Sequence, residues 1–399
     1  MAQMTGAQAL TRSLVREGVE VVFALPGVQI MEAFNALYDE PSLRLVLVRH
    51  EQSAAYMADG YARTTGKPGV AMVVPGPGAL NATAALGTAF ASSSPVMLIS
   101  GQIESYNLGL NRGALHEIGE QLDVFKHLTK WCGRTTESSE IPALVHRAMK
   151  ELSTGRPRPV EIEVPWDILP TQTEIELLEQ EVHPKKRPEP AHVRSAAEAL
   201  AHAQRPLIWA GGGAREADLS PELLELAQVL NAPVITTPEG KGAFPEDNPL
   251  SLGTIYNGHG PGHHVVPQAD VILAVGSRMH MVPPVDWSPK PHQTLIQIDA
   301  DPEEVGRNIP VTTGMAADGR LALQDLLAEL GGKTHASHWV QGDLDSIRNA
   351  TKEEIHAMAP LQVEIINTIR QELDDDAIMV AGTTEVGYWS HLALSLIHI

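Results

Sequence analysis

The sequence predicts an α/β protein built from parallel sheets, and three observations carry that reading. Apolar runs of strand length recur with helix-length segments between them, the pattern of a parallel sheet covered on both faces. The runs end in turn residues such as Pro26-Gly27 and Pro75-Gly76-Pro77-Gly78. Between one such series and a second lies 171–190, TQTEIELLEQEVHPKKRPEP, which is acidic, then basic and proline-rich, as suits an exposed linker.

Taken in order, residues 6–17 read as an amphipathic helix with Thr5 as its cap. The strand Val19–Leu25 ends at Pro26-Gly27, and helix 29–38 follows. Further strands are predicted at 44–48, 70–74, 96–100 and Val160–Val164, the last closed by Pro165. The stretch Arg49–Asn81 organises the rest. It places a carboxylate, Glu51, directly after the apolar run Leu45–Val48. The following helix carries Ala54, Ala58 and Ala62 on one face, which lets another backbone approach closely. Val70–Val74, the Gly-Pro loop and a helix beginning near Asn81 complete it. Glu51 and the loop thus both lie just past strand C-termini, where open α/β sheets place their ligands.

A second series has helix 192–203, strands Leu207–Ala210, Pro233–Thr236, Val271–Val275 and Thr294–Ile298, and helices 220–230 and 318–329. Gly331-Gly332 ends it. After 333–355, a linker with some helix, helix 360–373 and strand Ala377–Val380 open a third unit.

A length of 399 residues suits two or three domains, each able to bury a core. The formal charge of −20 argues against nucleic acid or an anionic membrane as partner. No apolar stretch is long enough to span a bilayer, and the N-terminus lacks the apolar core of a signal peptide. The single cysteine, Cys132, excludes an internal disulfide and a cysteine-held metal cluster; its default is a buried structural thiol. Together these features predict a cytoplasmic protein.

Residue by residue, Arg49-His-Glu-Gln52, Gly60-Tyr-Ala-Arg63, Gly66-Lys-Pro-Gly69 and the Gly76-Pro-Gly-x-x-Asn81 segment resemble the pyrimidine-binding domain of thiamine-diphosphate enzymes. The match is closest to the acetolactate synthase group and runs in the same order along almost the whole chain. It implies a pyrimidine-binding domain at 1–172, a linker at 173–190, a Rossmann-like central α/β domain at 191–332, a second linker at 333–355, and the start of a diphosphate-binding domain at 356–399. It further implies thiamine diphosphate and Mg2+ as cofactors, and a 2-oxo acid as substrate. Glu51 would face N1′ of the aminopyrimidine. A shared proton there favours the 4′-imino tautomer, which deprotonates thiazolium C2 to the ylid. The ylid attacks the 2-oxo acid, carbon dioxide leaves, and the enamine passes to a carbonyl acceptor. Gly76, Pro77, Asn81 and Thr384 are implied as cofactor contacts. The family's site lies between subunits, so a homodimer or homotetramer is implied.

The sequence departs from the family in four places. Its Gly-Asp-Gly motif with a downstream asparagine, which binds magnesium and diphosphate, does not occur before Ile399, so no residue is assigned as a metal ligand. Residues 394–399 no longer look like the family and read as a foreign tail on a truncated gene, which makes the chain itself an inactive fragment by expectation. Leu115-His116-Glu117 stands where acetolactate synthases carry Phe-Gln-Glu, giving a side chain able to act as acid or base near neutral pH. His116 is therefore the candidate substrate contact, against the alternative of a solvated loop histidine, and it admits a simple decarboxylase or a benzaldehyde-lyase-like enzyme. Finally, Gly242-Ala-Phe-Pro245 and Leu250-Ser-Leu-Gly253 continue as Thr254–His264 instead of the usual Gly-Met-His-Gly, which leaves FAD binding open.

Two other features support weaker readings. Gly211-Gly212-Gly213 follows an apolar strand and suggests a nicotinamide-dependent dehydrogenase, but it is not GxGxxG. His259, His263 and His264 invite a metal, yet they lack helical HxxxH spacing and an interleaved carboxylate; a loop contact is the plainer reading. A binding or dimerising module without catalysis remains the alternative from another class.

Overall fold

The computed structural model describes residues 1–280, 290–332, 335, 337–374 and 376–394. The chain divides into two compact units, 1–184 and 185–399.

The first unit runs β1 (Ala2–Thr5), α1 (Gly6–Arg16), β2 (Val21–Ala24), α2 (Met31–Tyr38), β3 (Arg44–Leu47), α3 (Glu51–Thr65), β4 (Gly69–Val73), α4 (Pro77–Ser92), β5 (Val96–Gln102), α5 (Gln121–Phe125), β6 (Trp131–Arg134), α6 (Ile141–Ser153), β7 (Val160–Pro165) and β8 (Gln172–Ile175). Six strands form a parallel sheet in the order β3-β2-β4-β5-β7-β6. Thr5 starts α1 as predicted, through a reciprocal capping box with Gln8.

Side chains alternate across this sheet, and both faces are buried. Val70, Met72, Met97, Ile99, Val160 and Ile162 enter the core shared with α1, α2 and α6. Ala71, Val73, Val96 and Leu98 point the other way, onto α3 and α4. The alanine face of α3 does what its spacing predicts. Ala54, Ala58 and Ala62 are buried, and a Cβ placed on Gly69 would overlap the Ala58 carbonyl, 3.0 Å from its Cα. Backbone meets backbone there without a side chain between them.

The second unit runs α7 (Pro190–Ala201), β9 (Pro206–Ala210), α8 (Gly212–Glu216), α9 (Ser220–Leu230), β10 (Val234–Thr236), β11 (Ser251–Thr254), α10 (Gly262–Val265), β12 (Val271–Val275), β13 (Thr294–Asp299), β14 (Thr313–Ala316), α11 (Gly319–Leu330), α12 (Gln341–Met358), α13 (Pro360–Glu372) and α14 (Glu385–Ala393). Its parallel sheet has the order β11-β10-β9-β12-β13-β14. The parallel α/β class read from the sequence is therefore present in both units.

Several short elements have no local signal in the sequence. The strands β6, β11 and β14 have four residues each, and β1 pairs antiparallel with β8 inside the stretch that composition suggests is an exposed linker. Conversely, no strand forms at 377–380, where Ile378 and Val380 are 91% and 90% exposed. An apolar run becomes a strand only beside a partner that takes its backbone hydrogen bonds, and among the described residues this one has none. Within the expected second linker α12 forms and buries Leu344 and Ile347 beside Trp339. The tail expected at 394–399 lies, beyond Leu394, outside the described residues. Among the described residues no helix is long and apolar enough to cross a membrane.

The glycine run of the second unit has a packing reason. Gly211 and Gly213 donate their N–H groups to the carbonyls of Val275 and Gly276, both at 2.9 Å. A Cβ on Gly213 would come within 2.9 Å of Gly276 Cα. The run thus seats the start of α8 against the end of β12.

Candidate active site

In a parallel sheet every strand ends on the same edge. From β2 the chain moves outward to β3 and then returns to the opposite side of β2 as β4. The crevice at that reversal is where a ligand fits between diverging connections. The segments leaving it are Gly27–Ile30 after β2, His50-Glu51 after β3, Pro75–Gly78 after β4, and the long connection 103–120 after β5.

Glu51 opens α3, where the helix dipole favours a carboxylate. His50 caps the same helix, its Nδ1 accepting the Gln52 N–H at 3.1 Å. The Glu51 side chain is only 13% exposed. Asn81, one turn into α4, donates from Nδ2 to Glu51 Oε2 at 3.0 Å. The two ends of the organising stretch therefore meet. At Gly78 a Cβ would lie 2.5 Å from Val74 Cγ2 and 3.4 Å from Glu51 Oε1, so the missing side chain keeps that second oxygen uncovered.

The Gly-Pro loop carries two N–H groups, and both are used internally. Gly76 N–H donates to Gln121 Oε1 at 2.7 Å and Gly78 N–H to Pro75 O at 3.3 Å. This is no phosphate nest. Gly76 has φ +57° and lies against the backbone of His116. His116 itself adopts a left-handed φ of +67°, and its buried Nδ1 has no hydrogen-bond partner among the described residues. Gln29, almost fully buried, holds the same loop by donating from Nε2 to Leu115 O at 3.2 Å. Its Oε1 is likewise buried without a partner.

Glu51, Gly76, Pro77, Asn81 and His116 are thus gathered at one sheet edge. Thr384 belongs to the second unit, where it caps α14 by accepting the Gly387 N–H at 3.1 Å. The histidines of the second unit separate instead of converging. His264 Nε2 lies 3.0 Å from Glu354, His263 bonds the Gly258 carbonyl, and His259 stacks on Trp389. Among the described residues no group of three His, Cys, Asp or Glu side chains is placed to hold a metal ion.

Beside this site lies a buried polar network. Ser100, Gln102, Glu161 and Glu163 point to the same face of the sheet and are at most 5% exposed. Ser100 Oγ donates to Glu161 Oε1 at 2.5 Å, and Gln102 Nε2 to Glu163 Oε2 at 3.1 Å. Arg134 Nε reaches Glu163 Oε2 at 2.5 Å, and its guanidinium also pairs with Glu120. Burial, then the neighbouring Glu163, pushes the Glu161 carboxyl well above its ordinary value. Burial raises Glu163 too, although Arg134 opposes it. A signal for this network stood in the sequence: Val-Glu-Ile-Glu-Val is a strand whose carboxylates alternate into a sheet predicted to be buried on both faces.

The family model for the N-terminal thiamine pyrophosphate-binding domain of thiamine pyrophosphate enzymes matches residues 4–124, and that for their central domain matches 193–326. A probable 2-ketoarginine decarboxylase of Pseudomonas aeruginosa is 34% identical over 396 residues, covering 98% of this chain and 70% of that protein. A probable acetolactate synthase large subunit of Methanocaldococcus jannaschii is 37% identical over 337 residues, or 82% of this chain and 56% of that protein. The acetolactate synthase large subunit of Haemophilus influenzae is 32% identical over 358 residues, covering 87% and 61%. The two parallel α/β units thus have their counterparts among cofactor-dependent enzymes of one kind. The chain belongs to the thiamine pyrophosphate enzyme family, as its motifs suggested, and spans between 56% and 70% of the length of these relatives.

Proposed function

We propose that the chain provides the pyrimidine half of a thiamine diphosphate site in an enzyme that decarboxylates a 2-oxo acid and transfers the retained fragment to a carbonyl acceptor. The observation that carries this reading is the Glu51–Asn81 pair: a largely buried carboxylate at the sheet edge, one oxygen held at 3.0 Å and the other left open by Gly78. Such a group suits a ring nitrogen that must share a proton. The orphaned Oε1 of Gln29 and Nδ1 of His116 add buried polar atoms that a polar ligand would satisfy. When bound, thiamine diphosphate supplies the carbon nucleophile and the electron sink for loss of carbon dioxide. Glu51 holds or releases the proton at its open oxygen, Asn81 keeps that carboxylate in one orientation, and the Gly76–Gly78 backbone brings the ring close to it. Mg2+, a homodimeric or homotetrameric assembly and a cytoplasmic location belong to the same proposal; flavin binding is left out of it.

A second reading stops at decarboxylation, with the fragment protonated and released as an aldehyde. The His116 imidazole supports it as a proton donor, as does the similarity to a protein named as a decarboxylase. Both readings share one test. Thiamine diphosphate bound to the protein with Mg2+ exchanges its C2 proton at a rate followed by NMR. Glu51→Gln lowers that rate by roughly 10²–10⁴-fold with folding unchanged. Exchange near the wild-type rate refutes the role of Glu51.

A further inference from the structure

Gln121 has no place in the chemistry above, yet its side chain joins the Gly-Pro loop to the buried carboxylates. It opens α5 and has no exposed surface. Its Oε1 accepts the Gly76 N–H at 2.7 Å. Its Nε2 faces Ser100 Oγ and Glu163 Oε1, both at 3.1 Å, and Gly101 O at 3.3 Å. The amide can point only one way, because a flip would set oxygen against a carboxylate and nitrogen against an N–H donor. Behind it, Glu163 is held by Gln102 and by Arg134, and Arg134 also binds Glu120, the residue before Gln121. A continuous buried chain therefore runs from Arg134 through Glu163 and Gln121 to Gly76. Pro75 and Pro77 carry no N–H, so this bond is the one through which a side chain grips the Gly76 amide.

We propose that Gln121 is a positioning residue: anchored by Glu163 and Arg134, it sets the Gly76–Gly78 loop relative to Glu51 and so determines how a cofactor ring seats there. This rests on the cofactor reading above. The loop contributes a backbone surface whose side chains are absent or cyclic, so its position depends on what holds its amide. A buried, fully partnered amide holds it rigidly; an apolar residue of the same size leaves the Gly76 N–H orphaned.

Two substitutions test the proposal. Gln121→Met preserves volume and removes every hydrogen bond. Gln121→Glu preserves the acceptor for Gly76 and regains a donor toward Glu163 only while the new carboxyl is protonated. Glu163 lies within hydrogen-bond distance of that side chain; Glu161 is joined to it through Ser100 and Arg134 through Glu163, Cys132 is in register with Glu161, and Glu120 precedes it in the chain. Amide hydrogen exchange of the ligand-free protein is read at Gly76, with Val70–Val73 as control. Thiamine diphosphate affinity with Mg2+ is read by calorimetry, as a ratio to wild type, from about pH 5.5 to 8. In Gln121→Met, Gly76 exchange rises at least about tenfold while the strand is unchanged, and cofactor affinity falls about tenfold at every pH. In Gln121→Glu the ratio recovers toward wild type as pH falls, which a general loss of stability does not produce. Unchanged Gly76 exchange in Gln121→Met overturns the proposal whatever the cofactor does. A wild-type affinity ratio in Gln121→Met, or a Gln121→Glu ratio lowered equally at every pH, overturns it also. Raised Gly76 exchange in a full-length enzyme that binds no thiamine diphosphate overturns the cofactor reading, and with it the claim that the loop is set for a cofactor.

Discussion

Replacing Gly76 with alanine adds one methyl group at a position where the structure opposes it twice. The backbone there has φ +57° and ψ −116°, a conformation that residues with a Cβ avoid, at a cost of about 1–3 kcal/mol. The new Cβ would overlap the carbonyl oxygen of His116, with the carbonyl carbon at 3.1 Å and Cα at 3.2 Å. Backbone atoms cannot rotate aside as a long side chain can, so the loop bearing His116 must shift, at a further cost of about 1–3 kcal/mol. Some of the two penalties relaxes together, which leaves a net destabilisation of about 2–4 kcal/mol. Gly60 on α3 supplies the control. A Cβ there meets nothing within 4 Å, and alanine in a helix interior is favoured over glycine by roughly 0.5–1 kcal/mol. Denaturant unfolding of both variants measures the difference, with hydrogen exchange across residues 113–121 reporting the loop. A loss below about 0.5 kcal/mol in Gly76→Ala, with unchanged exchange in that loop, refutes the reasoning.

Two further outcomes follow from the same region. Glu161 has a folded-state pKa raised above the ordinary 4.5, so its neutral form contributes stability that is lost as pH rises through the folded value. Glu161→Gln is neutral at all pH values and flattens the decline in unfolding free energy from about pH 5 upward; identical slopes in the two proteins count against a neutral buried carboxyl. In the active enzyme, His116→Gln shifts products from released aldehyde toward carboligation, measured by product analysis between about pH 5.5 and 8, and an unchanged ratio leaves His116 as a loop residue only.

Class, order of elements and the Glu51–Asn81 stretch were legible in the sequence because they rest on local information. Strand and helix periods, turn residues and small-residue spacing act within a few positions of each other. The alanine face of α3 shows this: a spacing of four determines which side a backbone can approach, and Gly69 completes it. The edge strands β6, β11 and β14 were not legible, since four residues form a strand only where a neighbour accepts the ladder, and 377–380 shows the same rule from the other side. Nor was Gln121. Its partners Gly76, Ser100 and Glu163 lie 45, 21 and 42 residues away, and nothing in a lone glutamine marks it as buried. What the sequence determined by itself was which residues stand at the ends of its strands. Only the tertiary structure decided that Glu161 and Glu163 are sealed into the sheet with Arg134, because burial is a property of the closed layers and not of the strand. The same closure turns Glu163, with Arg134, into the anchor of the Gly-Pro loop.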